Sequence, residues 1–178
     1  MKTLLVTATK HLRHNSGIAF KYIKDIEDIE DIFICDFNSC KDCEGCMSCM
    51  TKEVHKCCIR DDFTKLVQNH YDRIIIISPI YFFGLKGSVS TFIDRLYPTN
   101  LNNTEIVLIL FSGSEGEDSG IDCVLYRFRS IDNYCGTKSR ILQVVTDDKL
   151  LDLSVYQNDL DSFLRGEMNE ANKEIQGH

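Results

Sequence analysis

Nine cysteines stand in this chain, seven of them between Cys35 and Cys58. The core of the group is Cys40-x-x-Cys43-x-x-Cys46-x-x-Cys49, followed by Cys57-Cys58. Repeated C-x-x-C spacing lets successive sulfurs converge on one polynuclear centre, as at [4Fe–4S] sites. Cys43, Cys46, Cys49 and Cys57 are the four candidate ligands. A tetrahedral zinc site built from four thiolates is a second reading, although zinc ribbons usually pair two separated knuckles. Free thiols, some structural and some reactive, are the third. His55 is either a further ligand or a solvated loop histidine. Cys123 and Cys135 lie in helical sequence and read as buried small hydrophobes.

Two other stretches carry chemical groups. The segment after the first apolar run, Thr9-Lys10-His11-Leu12-Arg13-His14-Asn15-Ser16, has no GxGxxG or GxxxxGK[ST], so dinucleotide and Walker-type phosphate binding lack their usual signatures. A small monophosphate still suits the free N–H groups of a helix starting near Ser16. Thr9, Asn15 and Ser16 add neutral donors, and His11 and Arg13 add charge; the bland alternative is ordinary capping by Asn15 or Ser16. The other stretch is Ser78-Pro79-Ile80-Tyr81-Phe82-Phe83-Gly84-Leu85-Lys86. Pro79 stiffens it, and three adjacent aromatics are costly to expose unless something flat or a partner covers them. Packing on a neighbouring helix or a dimer contact would satisfy them equally. Ser112-Gly113-Ser114 adds a loop with backbone freedom to approach a ligand.

These loops need a scaffold, and the hydrophobic pattern supplies one. Lys2–Ala8, Ile32–Phe37, Arg73–Ser78, Glu105–Phe111 and Arg140–Val145 read as strands; the β-branched run Ile74–Ile77 fits a strand covered on both faces. Helices are expected from about Ser16 through Ile26, then over Asp61–His70, Lys86–Leu96, Ser119–Asn133 and much of Lys149–Ile175. Strands alternating with helices predict a doubly wound α/β sheet over residues 1–178 as one domain. Asn38–Arg60 is left as a long loop, and such loops are usually functional. Ligands in these sheets lie outside the carboxyl ends of the strands, which is where the loops after strands one, three and four fall.

Composition narrows the functions. The formal net charge of −7 argues against general nucleic-acid binding and against adhesion to an anionic membrane. The apolar opening Met1–Val6 is too short for a signal-peptide core. No run is long enough to span a bilayer, and the expected compartment is the cytoplasm. Clustered cysteines there point to metal binding or redox chemistry more than to a disulfide framework.

The combination Cys43-x-Gly45-Cys46-x-x-Cys49, Cys57, Asp61-Asp62-Phe63, Ile74–Ser78-Pro79-Ile80-Tyr81-Phe82, Leu85-Lys86 and Phe92-Ile93-Asp94-Arg95-Leu96 resembles the NAD(P)H-dependent FMN reductase family, near its iron–sulfur flavoprotein branch. The likeness spans about residues 1–146. It implies a flavodoxin-like three-layer sandwich whose five-stranded parallel sheet runs in the order 2-1-3-4-5. It also implies non-covalent FMN and a homodimer or homotetramer with flavin sites near the interface. By position, the family's phosphate loop falls on Thr9, His11, His14, Asn15 and Ser16. Asn15 matches outright, whereas His11 replaces an arginine and His14 a glycine, leaving Arg13 to supply charge. Pro79, Ile80, Tyr81 and Phe82 match the isoalloxazine-contacting loop, with Phe83 and Gly84 continuing it, and Ser112 and Gly113 fall on the third flavin loop. The resemblance therefore implies an FMN-dependent oxidoreductase. NAD(P)H would reduce the flavin, and a small-molecule or protein acceptor would reoxidise it. The alternatives are an electron carrier with a [4Fe–4S] cluster and a flavodoxin-like interaction protein without enzymatic activity.

Overall fold

Five parallel strands carry the molecule. In the computed structural model, which describes residues 1–51, 57–66, 69–96, 101–146 and 149–167, they are β1 (Thr3–Thr7), β2 (Asp31–Ile34), β3 (Arg73–Tyr81), β5 (Glu105–Ser112) and β6 (Lys138–Val145). A two-residue strand, β4 (Gly84–Leu85), pairs antiparallel with the end of β3. The order is β2-β1-β3-β5-β6, which is the expected 2-1-3-4-5 once the short β4 is set aside.

Both faces of the sheet are apolar because successive side chains alternate between them. Leu4, Val6, Ile74, Ile76, Ile106 and Leu108 point to one core, where Phe33, Phe63, Phe92 and Phe128 meet them. Leu5, Ile75, Ile77, Val107 and Ile109 point to the other, against Ala19, Ile23, Leu160 and Phe163. Each fully buried isoleucine of β3 contributes about 1.5–3 kcal/mol relative to an exposed one.

The helices are α1 (Asn15–Ile26), α2 (Ser48–Thr51), α3 (Asp62–Leu66), α4 (Gly87–Asp94), α5 (Ile121–Cys135) and α6 (Leu153–Leu164). The first core lies under α3, α4 and α5, and the second under α1 and α6. Several expectations change. The N-cap of α1 is His14, without a side-chain capping bond; Asn15 is already helical and is used elsewhere. Within the helix expected over 61–70 the described helical residues are Asp62–Leu66, with Asp61 Oδ1 accepting the Thr64 N–H at 3.0 Å; residues 67–68 lie outside the described ones. The long cysteine loop contains a further turn, α2. The helix expected from Lys149 begins at Leu153, where Asp152 caps it. Cys123 is exposed on α5 rather than buried, whereas Cys135 packs partly against the core. Glu27, just past the end of α1, pairs through Oε2 with the buried Arg73 at 3.0 Å. Among the described residues no helix is long and apolar enough to cross a membrane.

Candidate functional site

A cavity of about 470 Å³ opens at the carboxyl edge of the sheet, where β1, β3, β5 and β6 end. Its size falls within the range of small-molecule sites. The first loop contributes Ala8, Thr9, His11, Arg13, His14, Asn15 and Ser16 to its lining. The end of β3 contributes Pro79, Ile80 and Tyr81, and the end of β5 contributes Phe111, Ser112 and Gly113. The three loops separated in sequence thus meet in one place. Phe82, Phe83 and Gly84 lie beside the lining, on the hairpin.

The first loop is held by its own hydroxyls. Thr7 Oγ1 donates to the Thr9 carbonyl at 2.7 Å, and Thr9 Oγ1 accepts the His11 N–H at 3.1 Å. The loop folds so closely over α1 that a Cβ on Gly17 would stand 2.0 Å from the His11 carbonyl oxygen. Glycine is the residue that permits this approach. Asn15 does not cap the helix. Its Nδ2 donates to Thr146 Oγ1 at 2.9 Å and to the Lys149 carbonyl at 3.0 Å, and its Oδ1 accepts the Leu151 N–H at 2.8 Å. It therefore ties the segment after β6 to the start of α1, and Thr146, Lys149 and Leu150 join the lining. The N-terminus of α1 presents backbone donors to this space.

The second loop is a two-residue hairpin, because Tyr81 pairs with Gly84 and Ile80 with Leu85. Phe82 (φ 47°) and Phe83 (φ 63°) are its central residues. Positive φ at both is the type I′ geometry, which Asn-Gly and Asp-Gly prefer. Bulky residues there are strained by about 1–3 kcal/mol each, and such strain clusters at functional sites. Phe82 is 98 % exposed, so burial does not repay it. Gly120 (φ +77°) makes room behind the turn: a Cβ there would lie 2.3 Å from Phe83 Cα. Pro79 breaks no β1–β3 pair, because that ladder ends at Thr7–Ile77.

Two lining or supporting groups, Lys149 and Gln143, escaped the sequence reading, and Lys86 stands in it only as the end of the Ser78–Lys86 loop. Lys86 lines the cavity and donates from Nζ to the Ala8 carbonyl at 2.7 Å. Lys149 reaches the cavity only through the fold of the β6–α6 segment. Gln143 is buried and donates to Ser112 Oγ at 2.8 Å, which in turn donates to the Ser114 carbonyl at 2.8 Å, fixing the third loop. No spacing signal marks these residues, since each partner is distant in sequence. Among the described residues the lining holds His11, Arg13, His14, Lys86 and Lys149 and no carboxylate, in a chain whose net charge is −7.

The cysteine loop leaves the same edge, where the Cys35 N–H donates to the Thr7 carbonyl at 2.9 Å. It is pinned by Arg95, whose side chain is 1 % exposed. Arg95 pairs with Asp61 through both guanidinium nitrogens, donates to the Lys41 carbonyl at 2.9 Å, and stacks 4.4 Å from the Phe63 ring centroid. Arg95 Nη2 also donates to Cys57 Sγ at 3.4 Å. Burial pushes the Cys40 thiol up to about 11 despite the nearby guanidinium. Hydrogen bonds from Ser48 and from the Cys58 thiol bring Cys46 down to about 7. Cys46 and Cys58 stand with their sulfurs 3.2 Å apart. Among the described residues no group of three or more His, Cys, Asp or Glu side chains converges as a metal site. Cys43, Cys46, Cys49 and Cys57 all lie on this loop, with Cys49 within electrostatic reach of the other three, and His55 lies outside the described residues.

No curated protein matches the chain. The NADPH-dependent FMN reductase family matches residues 1–134. Among solved structures, an NADPH-quinone reductase from P. pentosaceus is 20% identical with a TM-score of 0.60, covering 96% of this chain and 100% of its own. The general stress protein 14 from Treponema denticola, in complex with FMN, is 16% identical with a TM-score of 0.56, covering 94% and 100% respectively. Oxidised flavodoxin 2 from Bacillus cereus is 13% identical with a TM-score of 0.54, covering 93% and 99%. At these identities the structures speak for a shared flavodoxin-like fold. The family match covers three quarters of the sequence and includes all three cavity loops, so this chain belongs to the NADPH-dependent FMN reductase family.

Proposed function

We propose that the cavity at the carboxyl edge binds FMN and that the protein is an oxidoreductase using NAD(P)H as donor and a small-molecule or protein electron acceptor. The observation that carries this reading is the lining itself: basic and neutral donors around a helix N-terminus, beside an exposed aromatic hairpin. The first loop suits the phosphate. Arg13 and His11 supply the charge there, while Asn15 holds the wall in place. Ile80 and Tyr81 supply an apolar and aromatic surface for a flat ring. Bound FMN would supply the redox chemistry, accepting a hydride from the nicotinamide and returning two electrons to the acceptor. The protein's part is orientation and electrostatics, and Lys86 contributes positive charge where negative charge would accumulate on reduction. The exposed Phe82 and Tyr81 offer a face on which a donor ring or a second subunit can pack, consistent with a homodimer or homotetramer.

Titration of the protein with FMN, followed by flavin fluorescence quenching and by steady-state oxidation of NADPH and NADH, tests this. Saturable binding at one FMN per chain, with nicotinamide oxidation dependent on it, is the expected result. A chain that neither takes up FMN nor oxidises either nucleotide in its presence overturns the reading.

A further inference from the structure

We propose that Thr146, the residue after β6, is a further ligand-contacting group of the cavity, and that its hydroxyl, aimed by Asn15, donates to an oxygen of a bound phosphate. The inference rests on the FMN reading for the identity of its ligand, and it names the group that selects the phosphorylated flavin over riboflavin. Thr146 belongs to none of the three loops that the sequence marks as flavin-contacting. It is 8 % exposed, lines the cavity, and follows directly on Val145, the last residue of β6.

The direction of its proton follows from its neighbours. The Thr146 N–H donates to the Ser112 carbonyl at 3.1 Å, and the Thr146 carbonyl accepts the Lys149 N–H at 2.7 Å, so both backbone groups are used. The Asn15 amide has only one workable orientation. Its Oδ1 accepts the Leu151 N–H at 2.8 Å, and its Nδ2 donates to the Lys149 carbonyl at 3.0 Å; a backbone N–H can only donate and a carbonyl can only accept. The bond from Nδ2 to Thr146 Oγ1, at 2.9 Å, therefore has Asn15 as donor and Thr146 as acceptor. A threonine hydroxyl keeps one proton of its own to give. Among the described residues no group accepts that proton. A hydroxyl nine-tenths buried at a cavity wall, with its proton unplaced, calls for an acceptor on the ligand.

The acceptor that fits is anionic. Asn15 and Ser16, the first residues of α1, line the same cavity. First-turn N–H groups lack intrahelical partners and favour an anion. Ser16 is only 2 % exposed, so the helix start is a sheltered wall rather than an open surface. A phosphate oxygen there meets donors from two sides, the start of α1 and the end of β6. A hydrogen bond to a charged acceptor is roughly twice as strong as a neutral one, so the Thr146 hydroxyl favours a phosphate over the uncharged terminal hydroxyl of riboflavin.

The test measures dissociation constants of FMN, riboflavin and inorganic phosphate for the full chain and for Thr146→Val and Thr146→Ser, by flavin fluorescence and by phosphorus NMR. Valine keeps the branched shape and removes the hydroxyl; serine keeps the hydroxyl. Thr146→Val should weaken FMN and inorganic phosphate about tenfold each and leave riboflavin little changed. Thr146→Ser should restore most of the loss. The phosphorus resonance of bound FMN should move in Thr146→Val and return in Thr146→Ser. Thr146→Ala removes the same hydroxyl with a smaller side chain and must give the same ordering of the three ligands, which keeps the test decisive if the valine variant does not fold. Equal weakening of both flavins would mark Thr146 as a structural partner of Asn15 alone and overturns the proposal, as does an FMN-to-riboflavin ratio unchanged by loss of the hydroxyl. The FMN reading fails separately. A parent chain that binds inorganic phosphate in a Thr146-dependent way but takes up no FMN refutes that reading and keeps this one, whereas a parent chain that binds neither overturns both.

Discussion

Arg95 shows how one side chain can hold a loop. It is almost fully buried, and so is its partner Asp61, at 2 % exposed. A buried pair of this kind is costly to break, because removing one partner strands the other, typically at about 3–5 kcal/mol. Asp61 also accepts N–H donors from Lys41 at 2.9 Å and from Thr64 at 3.0 Å. Burial alone would raise its pKa, but the hydrogen bonds from Arg95, Lys41 and Thr64 win and bring it down to about 2. The unfolded value is about 3.9, so the folded pKa is depressed. Its stabilising contribution is then complete above the unfolded value and lost as pH falls through about 2. The shift amounts to about 2–3 kcal/mol. Asp61→Asn should cost about 3–5 kcal/mol near neutral pH in urea unfolding, and the gap to the parent chain should narrow by about 2–3 kcal/mol as pH falls from about 5 to below about 2. A gap that stays constant with pH would show that Asp61 titrates normally. The sequence marked Asp61 as a favourable helix start, and the structure bears that out. It did not reveal that Arg95, 34 residues away, is the partner, since a pairing across two elements leaves no local pattern.

The β3–β4 hairpin is the element where local preference and fold disagree most. Phe82-Phe83 carries no turn signal, so the sequence reads as a loop with an aromatic cluster, and β4 goes unseen. The structure closes a type I′ turn there at positive φ, backed by Gly120. Strands and longer helices were legible because burial on both faces demands continuous β-branched runs and helices demand apolar spacing. The turn was not, because strain is tolerated only when the surroundings enforce it. Replacing the pair by Phe82→Asn with Phe83→Gly installs the preferred I′ residues. The double variant should gain about 1–2 kcal/mol of folding stability from released strain. It should also bind FMN less tightly, by several-fold in the same fluorescence titration. A variant that gains stability and keeps full FMN affinity would remove the hairpin from the flavin site and leave its exposed rings to another contact.

Charge is distributed against the average over the whole molecule. The chain is acidic overall, at −7, yet among the described residues the cavity gathers His11, Arg13, His14, Lys86 and Lys149 and no carboxylate. The first-loop members of this set were legible as a phosphate-binding stretch; Lys86 was legible only as the end of the Ser78–Lys86 loop, and Lys149 was not, because only the fold brings it there. The global and local charges act oppositely on a phosphate dianion, and distance decides between them. At about 0.1 M salt the screening length is about 10 Å. Acidic groups farther than that from the cavity are already muted, whereas cavity-lining cations close to a bound phosphate would be felt in full. Raising salt towards about 1 M shortens the screening length to about 3 Å and so weakens mainly the local attraction. FMN affinity should therefore fall several-fold over that range. Riboflavin, which has the same ring and no phosphate, should bind more weakly at low salt and change little. If both flavins respond to salt alike, the first loop does not hold the phosphate, and the basic lining serves the nucleotide donor instead.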